Sequence, residues 1–352
     1  MKILKLLFAT ALISSLIINN ANACSRITYT TNSGNVVTGR TMDWESEDKP
    51  SIIVNQRRVV KMSASKNNPA RWITKYGSVV VSSQSHLTNS GINEKGLAGD
   101  VLWLDASNYG SIKSGESSLL FTEYLQYLLD NFASVEEVVS FVNSGKIRPT
   151  NSQKSKSSIT MKFHYILTDK TGDNAIIEYV NGEAKVYHKK GRIALTNDPT
   201  YDKMSAIKDY FKEIGILRNM PGSSLSQARY IYATGWLDEL TNKKLNGYIK
   251  GIPNQSFDEQ TVMSVLSVMR GVSTPLGVEL TKAEPNNTST LWRTVIDIKN
   301  NKFYFDSALA MTTVWVDLNK IDFATDHKSI DLSNGKILHG DVTEMLNLVK
   351  LN

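Results

Sequence analysis

The sequence predicts an α+β fold with mostly antiparallel sheets, and two observations predict it. Strand-like and helix-like segments come in runs, in the order strands, helices, strands, helices, strands. Such runs favour segregated layers over a doubly wound parallel sheet. Turn signals at Asn32-Ser33-Gly34, Asn181-Gly182 and Asn300-Asn301 join neighbouring strands through links too short for a crossover. No repeat, linker or low-complexity stretch divides the 352 residues, so one domain over 24–352 is expected behind a leader at 1–23.

The leader comes first. Lys2 and Lys5 precede an apolar stretch over 6–18, followed by Ala21-Asn22-Ala23. A stretch of that length falls short of the roughly 20 residues that span a bilayer, so no membrane span is expected. It reads as a secretory signal with an A-x-A cleavage site after Ala23. The expected product is exported, periplasmic or secreted, and begins at Cys24. A lipoprotein would also begin at a cysteine, but Ala21 stands where such sites usually carry leucine.

Alternating apolar positions over 27–30 and 36–44 predict a first hairpin with Cys24 at its start. Residues 52–62, 79–83 and 97–104 are strand-like too. Helices are predicted over 117–131 and 135–143; Ser134 with Glu137 forms a capping box for the second, and Gly145 closes it. Strands follow over 160–168, 175–180 and 184–188, the last two joined across Asn181-Gly182, a type I′ signal. Helices over 203–214, 225–240 and 257–269 precede a final strand pair over 291–299 and 302–306.

Composition narrows the chemistry. There is one cysteine, which excludes a disulfide within the chain and a four-cysteine zinc site. The net charge of +6 is spread along the chain, and Lys189-Lys190 and Lys243-Lys244 read as solvated faces, so no basic stripe for nucleic acid is present. Neither a phosphate-binding glycine loop nor an H-E-x-x-H pair occurs, and no metal or organic cofactor is expected.

A cysteine at the first position of a processed chain carries its own base. Its α-amino group, with an ordinary pKa of about 7.7 to 8.0, can take the thiol proton directly or through water. No histidine is then required, and His86, His164, His188, His327 and His339 lie in no recognisable nucleophile motif. In Gly39-Arg40-Thr41-Met42-Asp43-Trp44, strand alternation sends Arg40 and Met42 to one face and Thr41 and Asp43 to the other. A guanidinium near the sulfur would favour thiolate, and a carboxylate near the ammonium would orient it. Taken alone, the hexapeptide also fits a surface ion pair beside a turn.

Five features recur in one order: Cys24, the hexapeptide 39–44, Asn93-Glu94-Lys95-Gly96-Leu97, Leu195-Thr196-Asn197-Asp198-Pro199, and Pro221-Gly222 through Arg229. Together they resemble the choloylglycine hydrolase and penicillin V acylase family of N-terminal nucleophile hydrolases, over essentially the whole mature chain. The resemblance implies a four-layer αββα sandwich and hydrolysis of linear amides through a thioester. It implies Cys24 as nucleophile and base, Arg40 beside the thiol, Asp43 holding the amine, Asn197 in the oxyanion hole, and Arg229 completing the network. Where bile-salt-hydrolysing relatives often have an oxyanion asparagine, this chain has Trp103. Trp103 and Trp44 are expected as pocket walls, with the Trp103 backbone N–H as a donor, a pairing that resembles the Gram-negative branch.

The expected partner is a small-molecule amide with an apolar acyl group. Penicillin V or an acyl-homoserine lactone is favoured over a conjugated bile salt. The short interval from Asn197 to Arg229 leaves a homo-oligomer open.

Overall fold

The computed structural model describes residues 24–44, 48–83, 87–153, 161–216, 219–242, 249–277, 288–333 and 338–348. The predicted leader and His86 lie outside the described residues.

The chain opens with β1 (Cys24–Thr30), β2 (Val36–Asp43), β3 (Pro50–Asn55), β4 (Val60–Met62), β5 (Arg71–Ile73), β6 (Ser78–Ser83), β7 (Leu87–Asn93), β8 (Ala98–Trp103) and β9 (Ser117–Leu120). Helices α1 (Phe121–Asn131) and α2 (Val135–Ser144) follow. Then come β10 (Ile147–Thr150), β11 (Phe163–Thr168), β12 (Asp173–Val180), β13 (Glu183–Lys190) and β14 (Ile193–Leu195). Helices α3 (Tyr201–Glu213), α4 (Ser226–Asn242) and α5 (Phe257–Gly271) lead to β15 (Thr290–Asp297), β16 (Lys302–Ser307) and β17 (Thr313–Asp317). Short strands β18 (Lys328–Asp331), β19 (Gly340–Asp341) and β20 (Asn347–Leu348) finish the described chain.

Two large sheets face each other. One is ordered β14-β1-β2-β15-β16-β17-β19, the other β13-β12-β11-β8-β7-β6-β3-β18-β20. Met42, Ile52, Val81, Leu102, Trp292 and Phe305 fill the space between them. Helices α1 and α2 cover the outer face of the nine-stranded sheet through Tyr124, Leu128 and Val138. Helices α3, α4 and α5 cover the seven-stranded sheet through Met204, Ile231 and Val265. The expected αββα sandwich is therefore the architecture observed. Its inner strands are covered on both faces, and β2 is buried at every position.

Several local signals operate as read. Asn181 and Gly182 have φ of 53° and 81°, the pair of positive values a type I′ turn needs. Ser134 caps α2 by accepting from the Glu137 N–H at 3.3 Å, and Gly145 ends it at φ 64°. The reciprocal half of the capping box is shifted, because the Glu137 carboxylate accepts from Ala133 N, not Ser134 N. Gly39 lets α5 approach the sheet: a Cβ there would lie 2.6 Å from Val265 Cγ1.

Other expectations are corrected. Residues 117–120 form a strand, because they pair in parallel with Ile147–Thr150 before α1 begins. Strand β7 was not predicted, yet it is central to its sheet. The pair β15 and β16 is not the last, since β17 continues the sheet beside β16.

Candidate active site

The site grows from the edge of the first hairpin. Antiparallel register sets Cys24 opposite Met42, Ser25 opposite Thr41 and Arg26 opposite Arg40. Strand β15 continues the row, with Trp292 opposite Met42. Neighbours in register share a face, so Cys24, Met42 and Trp292 point between the sheets, where all three join one buried cluster. Thr41 and Asp43 point the other way, as the alternation predicts, toward the layer that holds α4 and Arg229.

Contacts converge on Cys24 from three elements. Arg40 Nη2 donates to its Sγ at 3.7 Å, to Met42 Sδ at 3.4 Å and to the Val101 carbonyl at 2.9 Å. Cys24 N donates to Asn197 Oδ1 at 2.6 Å. Arg229 Nη1 donates to the Cys24 carbonyl and to Ser25 Oγ, each at 2.6 Å, and its Nη2 reaches Asn197 Oδ1 at 2.9 Å. Asn197 Nδ2 donates to the Trp103 carbonyl at 2.8 Å. Two donors on Oδ1 and one acceptor at Nδ2 fix the orientation of this amide.

Charge is concentrated where water is excluded. Cys24 is 3% exposed, Arg40 1%, Arg229 2% and Asp43 0%. Burial pushes the Cys24 thiol up, and Arg40 is the largest opposing influence. Asp43 pushes it further up through its carboxylate, while its backbone N–H bonds the sulfur and, with Arg229, favours thiolate. Burial likewise lifts the Asp43 carboxyl to about 6, against Arg229 and the hydroxyls of Thr290 and Thr41. Thr290 Oγ1 bonds Asp43 Oδ1 at 2.6 Å, and Oδ2 lies 3.7 Å from Arg229 Nη1 with no hydrogen-bond partner among the described residues.

The comparisons with known proteins show the family. The family of linear amide C–N hydrolases, the choloylglycine hydrolase family, matches residues 24–335. The chain belongs to the choloylglycine hydrolase family. A penicillin V acylase of Pectobacterium atrosepticum is 32% identical over 314 residues, covering 86% of this chain and 82% of that protein. The solved penicillin V acylase of Agrobacterium tumefaciens superposes with a TM-score of 0.81 at 32% identity, covering 93% of this chain and 98% of that one. A bile salt hydrolase/transferase of Clostridium perfringens is 28% identical over 184 residues, 51% of this chain and 54% of that protein. This choloylglycine hydrolase family member is thus a hydrolase of linear amides.

Among its sequence-predicted residues, Cys24, Arg40, Asp43, Asn197 and Arg229 come together as described. The tryptophans divide. Trp44 packs against the cluster between the sheets, the one that contains Cys24. Trp103 reaches the site with its main chain, while its indole sits edge-on to Phe163 at 6.3 Å in the helix-side cluster. This follows from alternation, since Leu102 next to it faces the other sheet. The described histidine contacts lie elsewhere: His164 pairs with Glu178, His188 with Asp173, and His327 with the Val54 carbonyl.

Four contributors escaped the sequence reading. Ser226 Oγ accepts from Asn197 N at 3.0 Å and Thr290 bonds Asp43, while Trp292 lies against Arg40 and Asp48 holds the Trp292 indole. Ser226 alone had a signal, standing three residues before Arg229 on one helix face. The others are joined to the site by long-range pairing that no local pattern reports.

Proposed function

We propose that this hydrolase is an exported enzyme whose signal is removed after Ala23, making Cys24 the nucleophile and its α-amino group the base. The observation that carries this reading is the acceptor at Cys24 N: Asn197 Oδ1 holds it at 2.6 Å, while the buried Asp43 carboxylate, whose charge acts on the Cys24 thiol, keeps an oxygen without a hydrogen-bond partner among the described residues. An amide nitrogen offers one proton to these groups, whereas an ammonium offers three. The family match beginning at Cys24 supports the same start.

In this mechanism the thiol proton passes to the amine and Sγ attacks the carbonyl carbon. The oxyanion is held by the second Asn197 Nδ2 proton and the Trp103 backbone N–H. In β8 that N–H points to the same side as the Trp103 carbonyl, toward Asn197, because the adjacent Leu104 N–H bonds the Lys162 carbonyl on the opposite side. Collapse breaks the C–N bond, the ammonium protonates the leaving nitrogen, and a thioester remains. Water then attacks with its proton taken by the amine, the acid departs, and the thiolate is restored. Arg40 stabilises thiolate at both ends of the cycle, and Arg229 fixes Asn197 and the Cys24 carbonyl.

For the acyl group, we read Trp44 as a wall of an apolar pocket and Trp103 as acting through its main chain. Penicillin V and long-chain acyl-homoserine lactones are favoured over bile salts. The more identical matches are to penicillin V acylases, at 32% over most of the chain, against 28% over half the chain for the bile salt hydrolase/transferase. Cys24→Ala is expected to abolish turnover with the fold intact, and full activity in that variant would refute the assignment. Side-by-side assays of the three substrate types test the preference, and best cleavage of glycine or taurine conjugates would reverse it. Intact mass tests the start: unmodified Cys24 supports the hydrolase, and a diacylglyceryl adduct would make the chain a lipoprotein instead.

A further inference from the structure

Arg40 is a buried cation held in an incomplete hydrogen-bond environment. Its Nη2 serves Cys24, Met42 and Val101, while Nε and Nη1 have no hydrogen-bond partner among the described residues. What lies against the guanidinium is the face of Trp292, 4.9 Å from Cζ to ring centroid. Such a contact is strongest when, as here, both groups are out of water. Trp292 is 1% exposed. Its indole N–H donates to Asp48 Oδ2 at 2.6 Å, and Phe305 packs against it at 5.6 Å. The ring can neither turn nor withdraw without breaking a charge-assisted bond.

A line of contacts therefore runs from the Asp48 carboxylate through the indole and the guanidinium to the Cys24 sulfur. We propose that Trp292, locked by Asp48, is a positioning residue that aims Arg40 at the Cys24 sulfur. The bond to the carboxylate also leaves the indole face richer in electron density, which strengthens its hold on the cation. Without the indole face the guanidinium is free to turn its open N–H groups toward other acceptors, and the sulfur loses the cation that most favours its thiolate. The inference rests on the reading of Cys24 as nucleophile. The charged groups that face Cys24 are Arg40, Asp43, Arg229 and, in the mature chain, its own amine; those that face the indole are Arg40 and Asp48.

The test uses the mature chain with Trp292→Leu, Trp292→Phe and Asp48→Asn. Iodoacetamide labelling of Cys24, read by mass spectrometry from pH 5 to 9, is measured alongside kcat and KM for phenoxymethylpenicillin. For Trp292→Leu the labelling profile is expected to move about one pH unit higher and kcat to fall about tenfold, with KM within about twofold. Trp292→Phe, which keeps a π face, is expected to recover most of both, and Asp48→Asn to fall about threefold in kcat.

A folded Trp292→Leu protein with the parent profile and parent kcat would overturn the proposal, because a packing role alone lowers Tm without moving the profile. Should that variant not fold, Asp48→Asn with the parent profile and parent kcat would overturn it. The underlying reading fails separately, if the parent enzyme labelled at Cys24 keeps its hydrolysis.

Discussion

Arg26 and Arg40 are register partners on β1 and β2, share one face of the sheet and are both buried, yet they are held in opposite ways. Like charges placed directly opposite one another repel, so each cation needs its own counterweight. Arg26 has a complete one: Nε meets Asp100 Oδ2 at 3.0 Å, Nη1 meets Thr28, and Nη2 meets Thr168 at 2.7 Å. These bonds tie β1 in one sheet to β8 and β11 in the other. Arg40 is left with two sulfurs, a carbonyl and an indole face. One arginine has a partner at every guanidinium nitrogen and joins the sheets; the other has two nitrogens without a hydrogen-bond partner among the described residues, beside the thiol. The difference teaches that burial and charge do not by themselves mark a functional residue, whereas an unfilled set of partners beside a reactive atom does.

The largest expected effect is on stability at Arg26. Arg26→Met leaves Asp100 buried without its cation and should cost about 3–5 kcal/mol in denaturant unfolding, with kcat/KM of the remaining folded enzyme little changed. Adding Asp100→Leu should recover most of that loss; if the double variant is no more stable than the single one, the pair is not the seam between the sheets. Arg40→Met should reverse the pattern. It leaves no buried carboxylate without its main cation, because Asp43 keeps Arg229, so unfolding should change by no more than about 1 kcal/mol, while kcat/KM falls about a hundredfold. Equal effects of the two variants on stability and activity would erase the comparison.

A smaller effect concerns pH. Asp43 is lifted from 3.8 to about 6 in the fold, so its protonated form favours folding. That contribution is present at low pH and lost as pH rises through about 6. The ionised form that would hold the Cys24 ammonium dominates above the midpoint, and the ammonium itself draws the midpoint down. The kcat/KM profile is therefore expected to fall on the acid side with a midpoint at or below about pH 6, and Asp43→Asn to lose both that limb and most of the activity. A limb well above pH 6 would belong to another group.

Much of this was legible where the cause is local. The first hairpin, the Asn181-Gly182 turn and the cap of α2 are written in neighbouring residues. Strand β7 was missed because Ser90, Gly91 and Asn93 carry no apolar alternation, although the strand is central; its hydrogen bonds to β6 and β8 hold it there. Residues 117–120 looked helical because their strand state depends on a partner about thirty positions away. At the site, Arg40 and Asp43 could be assigned to opposite faces from period two alone. Asn197 and Arg229 became legible only through family resemblance, since their geometry depends on contacts across 173 and 205 positions. Arg26 and Trp292 had no signal, because a buried ion pair and a cation–π contact between strands leave no pattern in sequence. Trp103 is expected as a pocket wall, but its indole lies on the helix side against Phe163, because one residue of register decides the face.

The central claim is that Cys24 acts through its own amine, and the most direct measurement compares two purified chains that differ by one residue. One begins at Cys24; the other retains Ala23, so that Cys24 N remains an amide while Sγ, Arg40 and Asn197 are unchanged. Hydrolysis of phenoxymethylpenicillin is predicted for the first chain and should be lost in the second, with intact mass confirming each start. Equal turnover by the chain that retains Ala23 would contradict the account.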